Sequence, residues 1–315
     1  MTTKAHVVAF NANEYCDSLG PLYPNVEFSH DLTSASLSDP IYGCEILIAF
    51  GVMLNAEIFA ANKSIKWVQA LGTGTDGIDD QPDLSPDAVL TSMRGIHAPQ
   101  MSEMAFLMML AFNRNLPKIL GNQRNHEWQR WPGKILEGKC IAILGLGLIA
   151  EALARRCKAF DMKVVGVTGT LRDVDNFDDV RLYDALPGAI SDADYVVVLS
   201  PGSDPNKRLV NAECLAAMKP SAYLINLARG GVIDEAALIE AINSGQIAGA
   251  GLDVFDTEPL PESSPLWDLE NVIITAHMGG MSEAYVDQAM AVITHNMDCY
   301  LDGRAADMIN RYRST

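Results

Sequence analysis

Three residues carry the strongest chemical signal in this chain. Arg229 stands in Ala228-Arg229-Gly230-Gly231, Glu258 in Asp256-Thr257-Glu258-Pro259, and His277 in Ala276-His277-Met278-Gly279-Gly280. Each follows a short apolar stretch that reads as a strand. A guanidinium grips a carboxylate and the neighbouring carbonyl oxygen as a bidentate fork. A histidine gives that oxygen a proton while a nicotinamide cofactor delivers hydride to the carbon. A carboxylate beside the histidine favours its protonated form. The set predicts reduction of a 2-oxo acid and, in reverse, oxidation of a 2-hydroxy acid. Taken singly, each residue has a plain structural alternative: a loop brace, a turn acid, a satisfied histidine.

Elements that place such groups together are legible around them. From Lys139 onward, strands are predicted at 140–144, 163–168, 195–199, 222–227, 248–254 and 272–275, with helices at 149–160, 212–218 and 235–244 between them. YVVVL and VIIT are nearly pure apolar, as in a parallel sheet covered on both faces. That is a doubly wound fold, whose chemistry sits beyond the carboxyl ends of the strands. The first hundred residues form a smaller α/β unit with strands at 6–10, 45–50, 65–71 and 88–92 and a helix at 55–61. A helix opens near Pro99 and is apolar all round through Phe112. It is expected to be buried on both sides, between domains or at a subunit interface. Residues 122–132, with Trp128 and Trp131, read as an extended arm or connection. The last helix, 282 to 301, is expected to return to the first domain.

Two stretches match a glycine fingerprint. Gly72-Thr73-Gly74-Thr75-Asp76-Gly77 is followed by Pro82 and Pro86, so no helix opens to meet a pyrophosphate. Gly145-Leu146-Gly147-Leu148-Ile149-Ala150 follows strand CIAIL and leads into a helix with Leu153, Cys157 and Phe160 on one face, as a dinucleotide site requires. The second strand ends in Thr168-Gly169-Thr170-Leu171-Arg172, with no acid to hold a ribose 2′-hydroxyl. Thr168, Thr170 and Arg172 suit a 2′-phosphate, so NADP is favoured over NAD.

Composition narrows the alternatives. The 315 residues hold 23 Lys+Arg and 40 Asp+Glu, a net charge of −17, with 49% hydrophobic residues. So acidic a chain is a poor partner for nucleic acid or an anionic membrane. The longest strongly apolar run, 104–112, is far short of the roughly 20 residues of a membrane span. Six scattered cysteines without CxxC spacing predict reduced thiols in a cytoplasmic protein, and no metal site.

The ordered set ALGTGTDGID (70–79), LEGKCIAILGLGLIAEALARRCKAFDMKVVGV (136–167), INLARGGVIDEAAL (225–238), AGAGLDVFDTEPLP (248–261) and ITAHMGG (274–280) resembles the D-isomer-specific 2-hydroxyacid dehydrogenases. The resemblance implies a Rossmann-type nucleotide domain, 99–283, inserted in a flavodoxin-like substrate domain, 1–98 plus 284–315, with the cleft between them. It implies Arg229 as substrate clamp, Glu258 as partner of the histidine and His277 as acid/base. Cofactor contacts are then expected at Gly145, Gly147, Leu148, Ile149, Thr168, Thr170, Arg172, Ser200, Pro201, Ala228, Asp253, His277 and Gly279, with Asp253 on the nicotinamide carboxamide. Backbone N–H groups around Gly72, Thr73 and Gly74 are expected to take the substrate carboxylate, with Arg229 and His277.

A homodimer joined through the nucleotide domains is also implied. Ala150, Thr168 and Met278 depart from the family pattern, and Glu258 argues against formate as substrate. Arg94 and His97 read as cations for a second acidic group on the substrate, or as loop salt-bridge partners. Phe50, Val52 and Met53 are candidates for selecting substrate size. The substrates implied are small 2-oxo acids such as glyoxylate and hydroxypyruvate. A nucleotide-sensing binding protein on the same fold, and oxidation of phosphite or a phosphonate, are the competing readings.

Overall fold

The computed structural model describes residues 2–32, 41–200 and 208–312. The chain divides into two compact units, Met1–His97 with Ser282–Thr315, and Ala98–Met281.

The first unit holds β1 (Thr3–Val8), α1 (Ala12–Leu19), β2 (Val26–Asp31), β3 (Ile46–Ala49), α2 (Ala56–Ala61), β4 (Trp67–Ala70) and β5 (Val89–Thr91). Its sheet has the order β2-β1-β3-β4-β5, and every pairing is parallel. The second unit follows: α3 (Ala98–Arg114), α4 (Leu116–Asn125), β6 (Cys140–Leu144), α5 (Leu148–Ala159), β7 (Lys163–Thr168), β8 (Asp179–Leu182), α6 (Leu186–Ile190), β9 (Tyr195–Val198), α7 (Ala212–Ala217), β10 (Tyr223–Asn226), α8 (Glu235–Asn243), β11 (Gly249–Leu252) and β12 (Val272–Ile274). Its parallel sheet runs β12-β11-β10-β9-β6-β7-β8, a Rossmann-type order that reverses between β6 and β9. Helix α9 (Tyr285–Leu301) completes the first unit.

Strand alternation builds a core on each face of both sheets. In the second unit Ile141, Ile143, Val197 and Ile225 pack with α3 and α5, while Ala142, Leu144, Val196, Val198 and Leu224 pack with α6, α7 and α8. In the first unit Val7, Ile46, Ile48 and Trp67 pack with α1 and α9, while Val8, Leu47, Ala49 and Val68 pack with Ile58 and Phe59 of α2. Burial on both faces is why these strands read as apolar runs.

The structure differs from the sequence reading at the polar segment before β6 and at two edge strands. Residues 122–125 are helical, the end of α4, and only 126–132 lack regular structure. Helix α4 has no buried residue, so it carries no apolar period to read. Helix α3 is buried around most of its circumference and leaves Leu107 and Leu110 exposed. Edge strands β2 and β8, absent from the sequence reading, are VEFSHD and DVRL, whose polar, partly exposed residues give no strand signal. None of the helices among the described residues is long and apolar enough to cross a membrane.

Candidate functional site

The switch point of the second unit lies between β6 and β9. Gly145 follows β6 with φ of 94°, and a Cβ there would stand 2.6 Å from the Ser200 amide nitrogen. Only glycine allows this turn and approach. Gly147 is the N-cap of α5, and no side chain caps the helix. A Cβ on Gly147 would meet nothing within 4 Å. Open space in front of an uncapped helix N-terminus fits a pyrophosphate, as the sequence context requires. Ala150 is fully buried, so the third position needs a small residue and has one. Leu148 is exposed and Ile149 half-buried in the first turn of α5.

Thr168 ends β7, and its Oγ1 accepts the Thr170 N–H at 3.5 Å. Arg172 Nη2 donates to the Leu146 carbonyl at 2.6 Å and to Glu151 Oε1 at 2.9 Å. The guanidinium thus lies against the glycine turn, with Thr168 and Thr170 on its own segment. Ser200 and Ala228 are buried after β9 and β10. Pro201 lies outside the described residues.

The structure brings Glu258 and His277 together. His277 Nδ1 lies 2.7 Å from Glu258 Oε2, and Glu258 Oε1 accepts the Phe255 N–H at 2.9 Å. The hydrogen bond that His277 Nδ1–H donates to Glu258 raises the His277 pKa above its ordinary value. Burial opposes this, the Glu258 and Asp253 charges reinforce it, and Arg229 pulls the other way. For Glu258 the largest single effect is burial, which pushes its pKa up. The His277 and Phe255 hydrogen bonds and the charges of His277 and Arg229 outweigh it, and the carboxyl ends below its usual range. Arg229 is therefore close enough to act on both. Its Nη1 donates to the Ala228 carbonyl at 2.7 Å.

Two features of this cluster carry no sequence signal beyond residue type. Gly230 lets the loops touch: a Cβ there would lie 1.9 Å from the Phe255 carbonyl carbon and 2.4 Å from the Asp256 nitrogen. Asp253 is buried and shapes the histidine turn. Its Oδ1 accepts from Thr275 Oγ1 at 2.5 Å and from the Met278 N–H at 2.9 Å, and its Oδ2 accepts the Gly279 N–H at 2.9 Å. Its carbonyl accepts the His277 N–H at 2.8 Å. His277 itself has a φ of 51°, a left-handed backbone uncommon outside glycine, which these bonds hold.

The other glycine cluster belongs to the first unit, and no helix follows it. The Gly72 carbonyl accepts the Met93 N–H at 2.9 Å. Thr73 Oγ1 lies 2.8 Å from His97 Nδ1, and His97 Nε2 lies 2.9 Å from the Tyr285 hydroxyl, which donates to the Leu71 carbonyl. His97 is buried, and burial lowers its pKa to about 4, against a weaker upward effect of a Met93 backbone hydrogen bond. It is neutral at pH 7, which corrects the reading of His97 as a cation. Arg94 is exposed.

Residues 106–279 match the NAD binding domain of the D-isomer specific 2-hydroxyacid dehydrogenases. The chain belongs to this family. The nucleotide unit is accordingly an NAD(P)-binding Rossmann domain. Among relatives of this chain is a D-3-phosphoglycerate dehydrogenase of Methanocaldococcus jannaschii, 30% identical over 288 residues, 90% of this chain and 55% of that protein. The chain thus spans about half the length of that relative. A family member from Aeromonas salmonicida subsp. salmonicida A449 has a solved structure at 30% identity with a TM-score of 0.90, covering 99% of each chain. A second, from Xanthobacter autotrophicus Py2 in complex with NADPH and MES, has 27% identity and a TM-score of 0.81, covering 99% of this chain and 98% of that one.

Proposed function

We propose that this chain is an NAD(P)H-dependent D-2-hydroxyacid dehydrogenase that reduces a small 2-oxo acid and catalyses the reverse oxidation. The observation that carries the reading is the 2.7 Å Glu258–His277 pair under the influence of Arg229, in a unit with the dinucleotide turn. Bound nicotinamide supplies or accepts the hydride. Arg229 grips the substrate carboxylate and the 2-oxo oxygen. His277, protonated because Glu258 holds Nδ1–H, gives the Nε2 proton to the forming hydroxyl oxygen. In the reverse direction the neutral ring takes that proton back. Glu258 is a positioning residue that stabilises the imidazolium.

The cofactor turn at Gly145 and Gly147, with Leu148 and Ile149, holds the pyrophosphate. Thr168, Thr170 and Arg172 favour NADP over NAD, and binding of NADPH by the Xanthobacter relative agrees with that preference. Asp253 Oδ2 keeps a lone pair for the carboxamide after its bond to Gly279. The exposed Leu107 and Leu110 on α3 and the exposed Trp128 support a homodimer through this unit. Six free cysteines agree with a reduced cytoplasmic setting.

The test follows nicotinamide oxidation with NADPH and NADH against a panel of 2-oxo acids, for the wild type and His277→Asn. Turnover that falls by about 10²–10⁴-fold in the variant supports the acid/base role. Wild-type protein that binds NADPH and turns over no acid would shift the assignment to a nucleotide-sensing protein.

A further inference from the structure

The sheet of the first unit ends at β5, and the chain's own C-terminal residues cover that edge. Thr91 pairs antiparallel with Arg311. The Tyr312 N–H donates to the Leu90 carbonyl at 2.8 Å, and the Ser92 N–H donates to the Asn310 carbonyl at 3.1 Å. Asn310 Nδ2 adds a bond to the Arg94 carbonyl at 2.8 Å. The tail thereby pairs backbone groups that an open sheet edge would leave to another chain.

Side-chain burial does little to hold this tail. Met308 is buried, but Ile309 and Tyr312 are 41% and 57% exposed. The anchor is Asn296, a fully buried residue of α9. Its Oδ1 accepts the Ile309 N–H at 2.8 Å, and its Nδ2 donates to the Ile309 carbonyl at 3.2 Å. One side-chain amide thus does for Ile309 what a neighbouring strand would do. Asn296 Nδ2 also donates to Gln69 Oε1 at 3.0 Å. Thr91 Oγ1 donates to the same oxygen at 2.7 Å and accepts from Trp67 Nε1 at 2.8 Å. Trp67, Gln69 and Thr91 are fully buried. Polar groups so deep cost free energy unless they are paired. Lifting the tail takes the Ile309 N–H from Asn296 Oδ1 inside the core, so the network itself favours the docked tail.

The segment that receives the tail also holds the first glycine cluster. Ser92 and Arg94 bond Asn310, while the Met93 N–H between them donates to the Gly72 carbonyl at 2.9 Å. Alternate residues of 92–94 therefore serve opposite neighbours, the tail on one side and the Gly72 loop on the other. We propose that residues 308–312, the 92–94 segment and the loop at Gly72 open and close as one cooperative unit, with Asn296 as its latch. Local opening in contiguous units of this kind exposes backbone amides to exchange without unfolding the rest of the domain.

The experiment reads amide hydrogen exchange residue by residue, by nuclear magnetic resonance on the full-length protein, for the wild type, Asn296→Ala and Asn310→Ala. In the wild type the Ser92, Met93, Ile309 and Tyr312 amides are expected to share one protection factor within about threefold, below that of the Ala5–Val8 amides of β1. Asn296→Ala is expected to lower all four together by about tenfold or more, the effect of unpairing a buried amide, and to leave β1 unchanged. Asn310→Ala removes a bond from a partly exposed side chain and is expected to lower the same four by about threefold. Loss of protection at Ile309 and Tyr312 with Met93 unmoved overturns the coupling to the Gly72 loop. Equal loss at β1 means that the whole unit loosens, and overturns the latch. If Asn296→Ala does not fold, Asn310→Ala and the wild-type pattern carry the test: protection at Met93 and Tyr312 that differs by more than about tenfold overturns the cooperative unit.

Discussion

Replacing Glu258 by Gln removes a charge from the His277 pair while keeping the side chain's shape. Glu258 uses both oxygens, one on His277 Nδ1 and one on the Phe255 N–H. Gln has one acceptor oxygen, so one of these bonds is lost along with the charge. Two unit charges about 4 Å apart interact by about 1 kcal/mol in water and about 4 kcal/mol at an effective dielectric near 20. The His277 and Glu258 side chains are 41% and 32% exposed, so solvent screens the pair well toward the lower figure. A loss of about 1.4 kcal/mol is a tenfold change in the ratio of imidazolium to imidazole.

The sign follows from the direction of the shift. The His277 pKa is raised in the folded protein, so the proton donor persists to higher pH than in a free histidine. Reduction is therefore flat on the acid side and falls as pH rises through that pKa; oxidation rises there instead. In Glu258→Gln both limbs move to lower pH. Reduction then falls by about tenfold on the alkaline side and changes little on the acid side. The assay is the pH profile of kcat/KM in both directions, followed by nicotinamide absorbance. A uniform loss at every pH, with both limbs in place, would refute the electrostatic argument and leave Glu258 a role in shape alone. The same pair bears on stability. The His277 contribution is full below its unfolded pKa and lost as pH rises through the folded one. The Glu258 contribution, with a lowered pKa, is present above the unfolded value and lost as pH falls through the folded one.

Gly230→Ala would place a methyl 1.9 Å from the Phe255 carbonyl carbon. Backbone must move, so turnover is expected to fall by about 10²-fold or more, the scale of an ångström-sized misplacement, while circular dichroism reports whether the fold persists. Arg172→Ala is expected to weaken NADPH binding by about tenfold, the worth of a charge-assisted contact at an exposed site, and to leave NADH binding nearly unchanged, as calorimetry would show. Equal loss for both cofactors would mean that Arg172 serves only to brace Leu146 and Glu151. Leu107→Asp, at an exposed position on α3, is expected to shift the sedimenting species from dimer to monomer with little change in monomer melting temperature. An unchanged dimer would place the interface elsewhere.

Much of this molecule follows from local pattern. Strands such as CIAIL and YVVV are buried on both faces, and that burial writes itself as an apolar run between turns. The false and true glycine turns are separable because prolines follow one and a helix the other. The chemical trio Arg229, Glu258 and His277 is legible because a doubly wound sheet brings its strand ends to one edge, whatever the distance in sequence. Edge strands β2 and β8 and the solvent-facing α4 were not legible, because their residues are partly exposed and polar and carry no period.

What only the tertiary structure decided depends on groups meeting across the chain. His97 reads in sequence as a cation; burial against Tyr285, 188 residues away, makes it neutral. Gly230 is one of two adjacent glycines until the Phe255 backbone is found against it. Asp253 reads as a cofactor ligand from its motif; that its carboxylate also holds the turn carrying His277 is seen only in the fold. Phe10 is an ordinary residue after a strand until the sheet order puts it beside Phe50. Sequence determines which groups are available and the period that folds each element. Desolvation, close approach and partner choice arise only when distant segments pack, and they set the charge and reach of those groups.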